Sequence, residues 1–202
     1  MILILDYGAG NLRSVQKAFE RLGAPAKISD DARDVARADK LVLPGVGAFG
    51  QGMQALRARG LDRAIGEHLA EGKMLLGVCL GMQLLLSESE EMGLHQGLNL
   101  ISGKVRRFDA KKDKVPQIGW NRVGEIRRES ALFKGIDEGT HFYFVHSYYC
   151  EAEDENATSA RAFYAGENFA AAIEKNGIFA VQFHPEKSGT MGLKVLENFA
   201  KL

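Results

Sequence analysis

The sequence predicts an α/β fold: a single-domain three-layer sandwich whose central sheet is mostly parallel and gains an antiparallel extension in the second half. Three observations lead to this prediction. In the first half, short aliphatic runs alternate with segments of helical periodicity, as in a parallel sheet covered by helices on both faces. One run ends at a cysteine flanked by glycines, the pattern of a nucleophile elbow. Shorter segments rich in β-branched and aromatic residues follow, which is typical of hairpins.

The elements of the first half follow from apolar periodicity and from Gly and Pro breaks. The predicted strands are residues 2–5, 41–43 and 74–78. The predicted helices are residues 12–22, one or two helices over 56–69 with a break at Gly60, and residues 80–87. Gly23 and Pro25 stop the first helix, and Gly72 ends the second helical region.

The second half is predicted to be mainly strands, closed by one helix. The strand candidates are residues 98–101, 105–108, 142–146, 160–164, 169–173 and 178–183. Residues 187–200 form the final helix, with Leu193, Leu196 and Phe199 as its buried stripe. The simplest arrangement is an antiparallel continuation of the same sheet. No linker or repeat divides the chain, so one domain over residues 1–202 is expected.

Length and charge limit the functional classes. The chain has 202 residues, 46% of them hydrophobic and 26% charged, an ordinary globular composition. Its 26 basic and 26 acidic residues cancel, so a general affinity for nucleic-acid phosphates is not expected. Two cysteines are too few for a disulfide scaffold. The N-terminal apolar run is too short for a signal peptide or membrane span, so we expect a cytoplasmic location.

The run Gly77-Val78-Cys79-Leu80-Gly81 carries the strongest chemical signal. An elbow places its nucleophile on a strained turn between strand and helix, and glycines two residues away let that turn close. The Cys79 thiol would then lie at a helix N-terminus, which favours the thiolate. The Leu80 N–H would be placed to donate to an oxyanion. The alternative is a buried, unreactive cysteine at a tight turn.

A thiolate nucleophile needs a base, and the base needs an orienting carboxylate. His184-Pro185-Glu186 follows a predicted strand and supplies both. A lone histidine there could be structural, but the elbow cysteine upstream favours a catalytic role. The glycine-rich turn Pro44-Gly45-Val46-Gly47 follows another strand and could present backbone N–H groups to the oxyanion; its alternative is a plain strand-to-helix turn.

These motifs together resemble those of the class I (triad) glutamine amidotransferases. The motifs are Gly77–Gln83, Pro44-Gly45-Val46-Gly47-Ala48-Phe49 and His184-Pro185-Glu186-Lys187-Ser188-Gly189. Within that family the chain resembles the glutaminase subunits of imidazole glycerol phosphate synthases. This closer resemblance rests on the Val-Gly-Ala-Phe form of the loop and on Asp6–Asn11, Gly119-Trp120-Asn121 and His146-Ser147-Tyr148.

The resemblance implies a Cys-His-Glu triad that hydrolyses glutamine. Cys79 would attack the side-chain amide, His184 would move the proton, and Glu186 would hold the imidazole. Leu80 with the Gly45–Val46 loop would form the oxyanion hole. The ammonia would pass to a (β/α)8-barrel cyclase subunit, the partner in a heterodimer, which makes imidazole glycerol phosphate and aminoimidazole carboxamide ribonucleotide for histidine biosynthesis.

The resemblance also implies how glutamine is held. Gln83 and Glu91 would bind its amino-acid end, with backbone help from Gly47, Ser147 and Tyr148. Glu88 and Glu90 are competing carboxylates nearby, and the alternative for this run of residues is a solvated helix end without a binding role. No cofactor is expected. No metal is expected either, because the histidines lack metal-ligand spacing.

Two residues are interface candidates. Trp120, the only tryptophan, lies in a segment that we predict to be a loop at the mouth of the site; aromatic anchors are common hot spots, although a tryptophan is as often core. Lys187 follows the triad glutamate and could pair with an acidic residue of the cyclase.

The β-branched Val46 suggests a resting state. It restricts the peptide between residues 45 and 46, so we hypothesise that this loop rests with its donor turned away and flips when the partner binds substrate.

Three other functions stay open: the same chemistry feeding another acceptor, as in pyridoxal-phosphate or anthranilate synthesis; a non-catalytic binding module; and a general cysteine hydrolase.

Overall fold

The computed structural model of the chain describes residues 1–8 and 10–202, so Ala9 of the Asp6–Asn11 motif lies outside the described residues. The strands are β1 (Ile2–Leu5), β2 (Ala26–Ser29), β3 (Lys40–Leu43), β4 (Met74–Val78), β5 (Leu86–Ser89), β6 (His95–Gln96), β7 (Ile101–Arg107), β8 (Gln117–Val123), β9 (Thr140–His146), β10 (Tyr148–Ala152), β11 (Thr158–Tyr164), β12 (Glu167–Lys175) and β13 (Ile178–Val181). The helices are α1 (Leu12–Arg21), α2 (Ala32–Arg37), α3 (Phe49–Ala58), α4 (Leu61–Ala70), α5 (Leu80–Leu84) and α6 (Gly189–Lys201).

A seven-stranded sheet in the order β11-β12-β13-β4-β3-β1-β2 forms the centre. The five strands from β13 to β2 are parallel to one another. β12 and β11 continue the sheet antiparallel beyond β13. The predicted parallel sheet with an antiparallel extension is therefore confirmed.

Both faces of this sheet are buried, which accounts for the aliphatic runs. In β1, Leu3 and Leu5 belong to the core beneath α2, α3 and α4, whereas Ile2 and Ile4 belong to the core beneath α1 and α6. A strand covered on both sides has apolar side chains at successive positions rather than at alternate ones. The layers are thus helix, sheet and helix, as the sequence predicts. No helix of the described residues is both long and apolar enough to cross a membrane.

The segment after the elbow differs from the prediction. The predicted helix over residues 80–87 ends at Leu84, and β5 follows it. The reason lies in the following loop, because the Leu84 carbonyl accepts from the Leu98 N–H at 2.9 Å and the Leu85 carbonyl accepts from the Leu100 N–H at 2.9 Å. These distant donors satisfy the carbonyls that another helical turn would need.

The antiparallel half is also more divided than predicted. The two predicted strands at 98–101 and 105–108 are one strand, β7, which joins β10, β5 and β6 in a separate four-stranded sheet. β8 and β9 form a two-stranded sheet of their own. The sequence prediction also missed β2 and α2. The four-stranded sheet and the two-stranded sheet both pack at the carboxyl ends of the central strands, where residues of each approach Cys79.

The core contacts of the final helix give a test of this architecture. Phe199 is fully buried between α6 and the central sheet, whereas Phe163 on β11 is 65% exposed. We expect Phe199→Ala to lower the free energy of unfolding by about 3–5 kcal/mol, because it leaves a cavity in the core. We expect Phe163→Ala to change it by less than about 0.5 kcal/mol. Urea denaturation of the two variants measures both values, and similar losses in both would contradict the layer assignment.

Candidate active site

The residue between β4 and α5 has a strained backbone. Cys79 has φ 54° and ψ −111°. Residues that have a Cβ rarely adopt a backbone conformation with positive φ. A Cβ on Gly81 would lie 1.7 Å from the Leu43 carbonyl oxygen, and a Cβ on Gly77 would lie 3.0 Å from the Gly81 carbonyl oxygen. Only glycines fit at these two positions, so the chain has the nucleophile elbow that the sequence predicts.

The neighbouring parallel strand anchors this turn. The Cys79 N–H donates to the Val181 carbonyl at 2.8 Å, directly after the ladder between β4 and β13. Its sulfur lies 4.0 Å from the Val145 carbonyl oxygen and 3.8 Å from Gln182 Nε2. The thiol is therefore held at the carboxyl end of the sheet, facing the end of β9.

His184 and Glu186 lie on the short turn that follows β13. His184 Nδ1 and Glu186 Oε1 are 2.9 Å apart, and their side chains are 2% and 0% exposed. Ser188 fixes the bend, since its hydroxyl donates to the His184 carbonyl at 2.6 Å and accepts from the Tyr143 N–H at 2.9 Å. The His184 N–H in turn donates to the Tyr143 carbonyl. This turn sets the imidazole between carboxylate and thiol.

The electrostatics of His184 suit a proton carrier. Burial lowers the pKa of its imidazole, but the interactions with Cys79 and with the Glu186 carboxylate together outweigh burial and raise the pKa to about 9. Nδ1 is occupied by the carboxylate. Nε2 is buried and has no hydrogen-bond partner within residues 1–8 and 10–202, so it is the nitrogen free to exchange a proton with the sulfur.

A cleft of about 280 Å³ opens beside Cys79. The predicted site residues that line it are Val46, Gly47, Cys79, Leu80, Gln83, Glu91, Ser147 and Tyr148. Pro116, Val145 and His146 complete its wall. The structure thus brings together residues from the loops after β3, β4 and β9, which are far apart in the sequence.

The three competing carboxylates after α5 have different positions. Glu91 lines the cleft, and its Oε2 accepts from the Phe49 N–H at 2.6 Å at the start of α3. Glu88 instead pairs with Lys104 at 2.9 Å. Glu90 accepts from the Arg107 N–H. Of the three, Glu91 is therefore the one whose charge is available to a molecule in the cleft.

The glycine-rich loop meets the elbow through a carbonyl group. The Leu80 N–H donates to the Gly45 carbonyl oxygen at 3.3 Å. Gly45 has no room for a side chain, because a Cβ there would lie 2.1 Å from the Tyr7 hydroxyl, and that hydroxyl donates to the Pro44 carbonyl at 2.8 Å. In this conformation the Leu80 donor is bonded within the protein.

Sequence reasoning missed three polar residues around the site. Asn11 donates a short hydrogen bond to Glu186 Oε1. Gln182 contacts Cys79 and Gln83. His146 has no role of its own in the sequence analysis, where it is named only within the His146-Ser147-Tyr148 motif; it is buried, burial lowers its pKa to about 4, and its Nδ1 lies 2.8 Å from the Tyr148 carbonyl. Asn11 lies in the Asp6–Asn11 motif, and Gln182 lies two residues before His184. These positions are the one sequence signal that could have pointed to them.

The interface candidates lie outside the cleft. Trp120 is 57% exposed on β8, so the prediction of a loop at this position is wrong. Its ring packs edge-to-face with Tyr143, 6.2 Å between centroids. The Lys187 ammonium lies 5.9 Å from the same Tyr143 ring. The two residues therefore share one surface next to the turn that carries His184.

Comparison with known proteins agrees with this geometry. The family model for glutamine amidotransferase class-I matches residues 3–202. An imidazole glycerol phosphate synthase subunit HisH from Chlorobium chlorochromatii is 61% identical over 202 residues, covering 100% of both chains. One from Chlorobaculum tepidum is 57% identical over 201 residues, again over 100% of both.

Solved structures share the fold at low sequence identity. PurLQS from Thermotoga maritima superposes with a TM-score of 0.77 at 17% identity, over 99% of this chain and 97% of that one. A crystal structure of a glutamine amidotransferase gives a TM-score of 0.76 at 20% identity, over 100% of both chains. With the family match extending from residue 3 to residue 202, this chain belongs to the class-I glutamine amidotransferase family.

Proposed function

We propose that this chain is the glutaminase subunit of an imidazole glycerol phosphate synthase and hydrolyses glutamine with Cys79, His184 and Glu186. The observation that carries this proposal is the elbow sulfur at the floor of a cleft, next to a buried imidazole that a carboxylate holds at 2.9 Å. The names of the full-length relatives support the choice of synthase. A binding module would not need this buried triad.

The reaction follows from the positions of the proton carriers. His184 Nε2 takes the proton of the Cys79 thiol, and the resulting thiolate attacks the amide carbon of the glutamine side chain. The tetrahedral intermediate collapses when His184 returns that proton to the leaving nitrogen, which departs as ammonia and leaves a glutamyl thioester. Water, deprotonated by His184, then hydrolyses the thioester to glutamate. Glu186 keeps the Nδ1–H tautomer and stabilises the imidazolium.

The cleft supplies a site for the amino-acid end of glutamine. Glu91 offers a carboxylate to the α-ammonium group, and its bond to the Phe49 N–H holds it in place. Gln83 is anchored by its Nε2, 3.0 Å from the Tyr148 carbonyl, which leaves Oε1 as an acceptor. Backbone groups of Gly47, Ser147 and Tyr148 line the same cleft. A general cysteine hydrolase would not need such a charged end to its pocket.

The glycine-rich loop is the proposed gate. With the Gly45 carbonyl on the Leu80 N–H, the oxyanion hole lacks a free donor, and rotation of the peptide between Gly45 and Val46 would exchange this carbonyl for the Val46 N–H. The loss of one oxyanion donor costs about 10²–10³ in rate. This resting state would make the glutaminase weak until its partner acts.

The partner that we propose is a (β/α)8-barrel cyclase subunit in a heterodimer, which receives the ammonia through a tunnel. The surface of Trp120 and Lys187, adjacent to the His184 turn, is the proposed contact. We also propose that residues 1–202 act as one domain in the cytoplasm, a compartment where the free Cys79 thiol stays reduced.

The first test is glutamate release by the purified chain, alone and with the cyclase subunit and its nucleotide substrate. We expect slow release alone, a strong rise in the complex, and a loss of about 10⁴-fold or more in Cys79→Ala. Cys150→Ala, which changes the other buried thiol, is the matched control and keeps activity. Release that never responds to this partner would favour another acceptor, and no release under any condition would favour a binding module.

The orienting role of the carboxylate gives a second prediction. Glu186→Gln is expected to lower glutamate release by about 10²–10⁴-fold, because the tautomer and the imidazolium lose their support. The pKa of His184 should fall from about 9, since one of the hydrogen bonds that raises it loses its charge. NMR titration of the His184 ring measures this pKa.

The control for that variant is Glu129→Gln, which changes an exposed carboxylate that does not line the cleft. It should change neither the rate of glutamate release nor the pKa of His184.

The raised pKa of His184 also affects the stability of the wild type. Because the pKa lies above the usual 6.5, protonated His184 stabilises the folded state below pH 6.5, and this contribution disappears as the pH rises through about 9. An unchanged His184 pKa in Glu186→Gln would contradict the assigned role.

The gate gives a third prediction. Val46→Gly should raise glutamate release without the partner by up to ~10²-fold, because the loop peptide can then turn its N–H towards the oxyanion more easily. Ala48→Gly adds similar freedom next to α3 without altering that peptide, and should leave the basal rate unchanged. Equal rates in wild type and Val46→Gly would rule out this loop as the gate.

A further inference from the structure

Cys79 and Gln182 are neighbours because of strand register. β4 and β13 are parallel, with Val78 opposite Val181, so the next residue of each strand is Cys79 on one side and Gln182 on the other. Paired positions of parallel strands direct their side chains to the same face of the sheet. The Gln182 side chain is fully buried there, two residues before His184. A polar amide thus stands in the core of the site with no exposure to solvent.

The hydrogen-bond network determines which end of this amide faces the sulfur. The Tyr148 carbonyl can only accept, so the Gln83 amide must point its Nε2 towards it, at 3.0 Å. The same Nε2 lies 3.1 Å from Gln182 Oε1 and donates its second proton to it. Gln182 therefore has its Nε2 on the other side, 3.8 Å from Cys79 Sγ.

We propose that Gln182 is a further catalytic residue, whose side-chain amide donates a hydrogen bond to the Cys79 thiolate, and that Gln83 is the positioning residue that fixes its orientation. The proposal rests on the proposed function and adds to it a donor outside the triad. A distance of 3.8 Å is long for a neutral sulfur, and hydrogen bonds shorten when the acceptor carries a charge. The amide thus interacts more strongly with the thiolate than with the thiol.

A backbone carbonyl group also lies near the sulfur, and it gives the Gln182 donor its importance. The Val145 carbonyl oxygen, 4.0 Å from Sγ, can accept from the thiol but repels a thiolate. Gln182 supplies the opposite polarity on a neighbouring side. Because Gln83 also lines the glutamine pocket, the chain from Tyr148 through Gln83 to Gln182 links the floor of the substrate site to the nucleophile.

The ionisable groups around Cys79 are not altered by a change at Gln182. Tyr7 at the end of β1 and Cys150 on β10 both have a pKa raised far above neutral by burial, so both stay uncharged. His146 on β9 stays neutral above a pKa of about 4. Burial also raises the pKa of Tyr148, which lines the cleft with Cys79. Within residues 1–8 and 10–202, the other groups near the sulfur are His184, with Glu186 behind it, and the Glu91 carboxylate in the cleft. A change at Gln182 leaves all three in place.

The test is the pH dependence of Cys79 alkylation by iodoacetamide, which needs neither glutamine nor a partner. Gln182→Met keeps the length of the side chain and removes the donor. We expect the alkylation midpoint to move upward by about one to two pH units, the size of a hydrogen bond to a charged group. In the complex, kcat for glutamine should fall about 10- to 100-fold with KM nearly unchanged, because the amide touches the sulfur and not the substrate.

The controls separate this effect from damage to the fold. Cys79→Ala gives the alkylation background from Cys150. Gln96→Met alters an exposed glutamine on β6 and should not move the midpoint. Gln83→Met retains Gln182 but removes its anchor, so the midpoint should move in the same direction by less; this variant decides the question if Gln182→Met does not fold.

Three results would each overturn one of these claims. A midpoint that stays at the wild-type value in both Gln182→Met and Gln83→Met overturns the role of Gln182, while glutamate release by the wild type still supports the proposed function. A wild-type complex that releases no glutamate overturns the proposed function, whatever the alkylation midpoints show. A shift in KM with kcat unchanged would assign Gln182 to substrate binding instead and would also overturn the proposal.

Discussion

The site depends on how closely the start of α5 approaches the end of β3. At Gly81 the helix backbone passes so near the Leu43 carbonyl that a single Cβ would overlap it. This approach forces Cys79 into its conformation with positive φ, at a cost of about 1–3 kcal/mol, and places the Leu80 N–H against the glycine-rich loop. The strain persists because the bond from Cys79 to Val181 continues a parallel ladder in the middle of the sheet. A rigid sheet centre therefore supports one unfavourable turn.

The carboxylate and imidazole beside that turn add a second cost. A buried ion pair is weak evidence for stability, because desolvation offsets the attraction unless further hydrogen bonds satisfy both groups. Here Ser188 fixes the backbone of the turn, and Asn11 donates to the same Glu186 oxygen that holds His184. Glu186 Oε2 nevertheless has no partner in the described part of the chain. On the proposed function, this arrangement serves the proton chemistry of His184 rather than the stability of the fold.

How much the sequence could predict depended on how local each signal is. The buried strands and the elbow were predictable, because aliphatic runs and glycine spacing are short-range patterns. β2 and α2 were missed because the strand is only half-buried and the helix buries a single residue, Val35. The end of α5 depends on donors from Leu98 and Leu100. In the site, the bonds from Asn11 to Glu186 and from Gln182 to Cys79 join residues 175 and 103 positions apart, which one sequence alone does not bring together.

On the proposed function, the bond between the glycine-rich loop and Leu80 would let one peptide rotation regulate the site. A neutral backbone hydrogen bond such as the one from Leu80 to Gly45 contributes only about 0.5–1.5 kcal/mol, whereas an oxyanion donor contributes about 2.7–4 kcal/mol in the transition state. On the proposed function, this bond would be weak enough for a docked partner to displace, yet it would withhold a donor whose absence slows the reaction greatly. On the proposed function, the free energy that a partner must supply is small compared with the change in rate that it produces. Ammonia would then be released where an acceptor is present, and glutamine would otherwise be conserved.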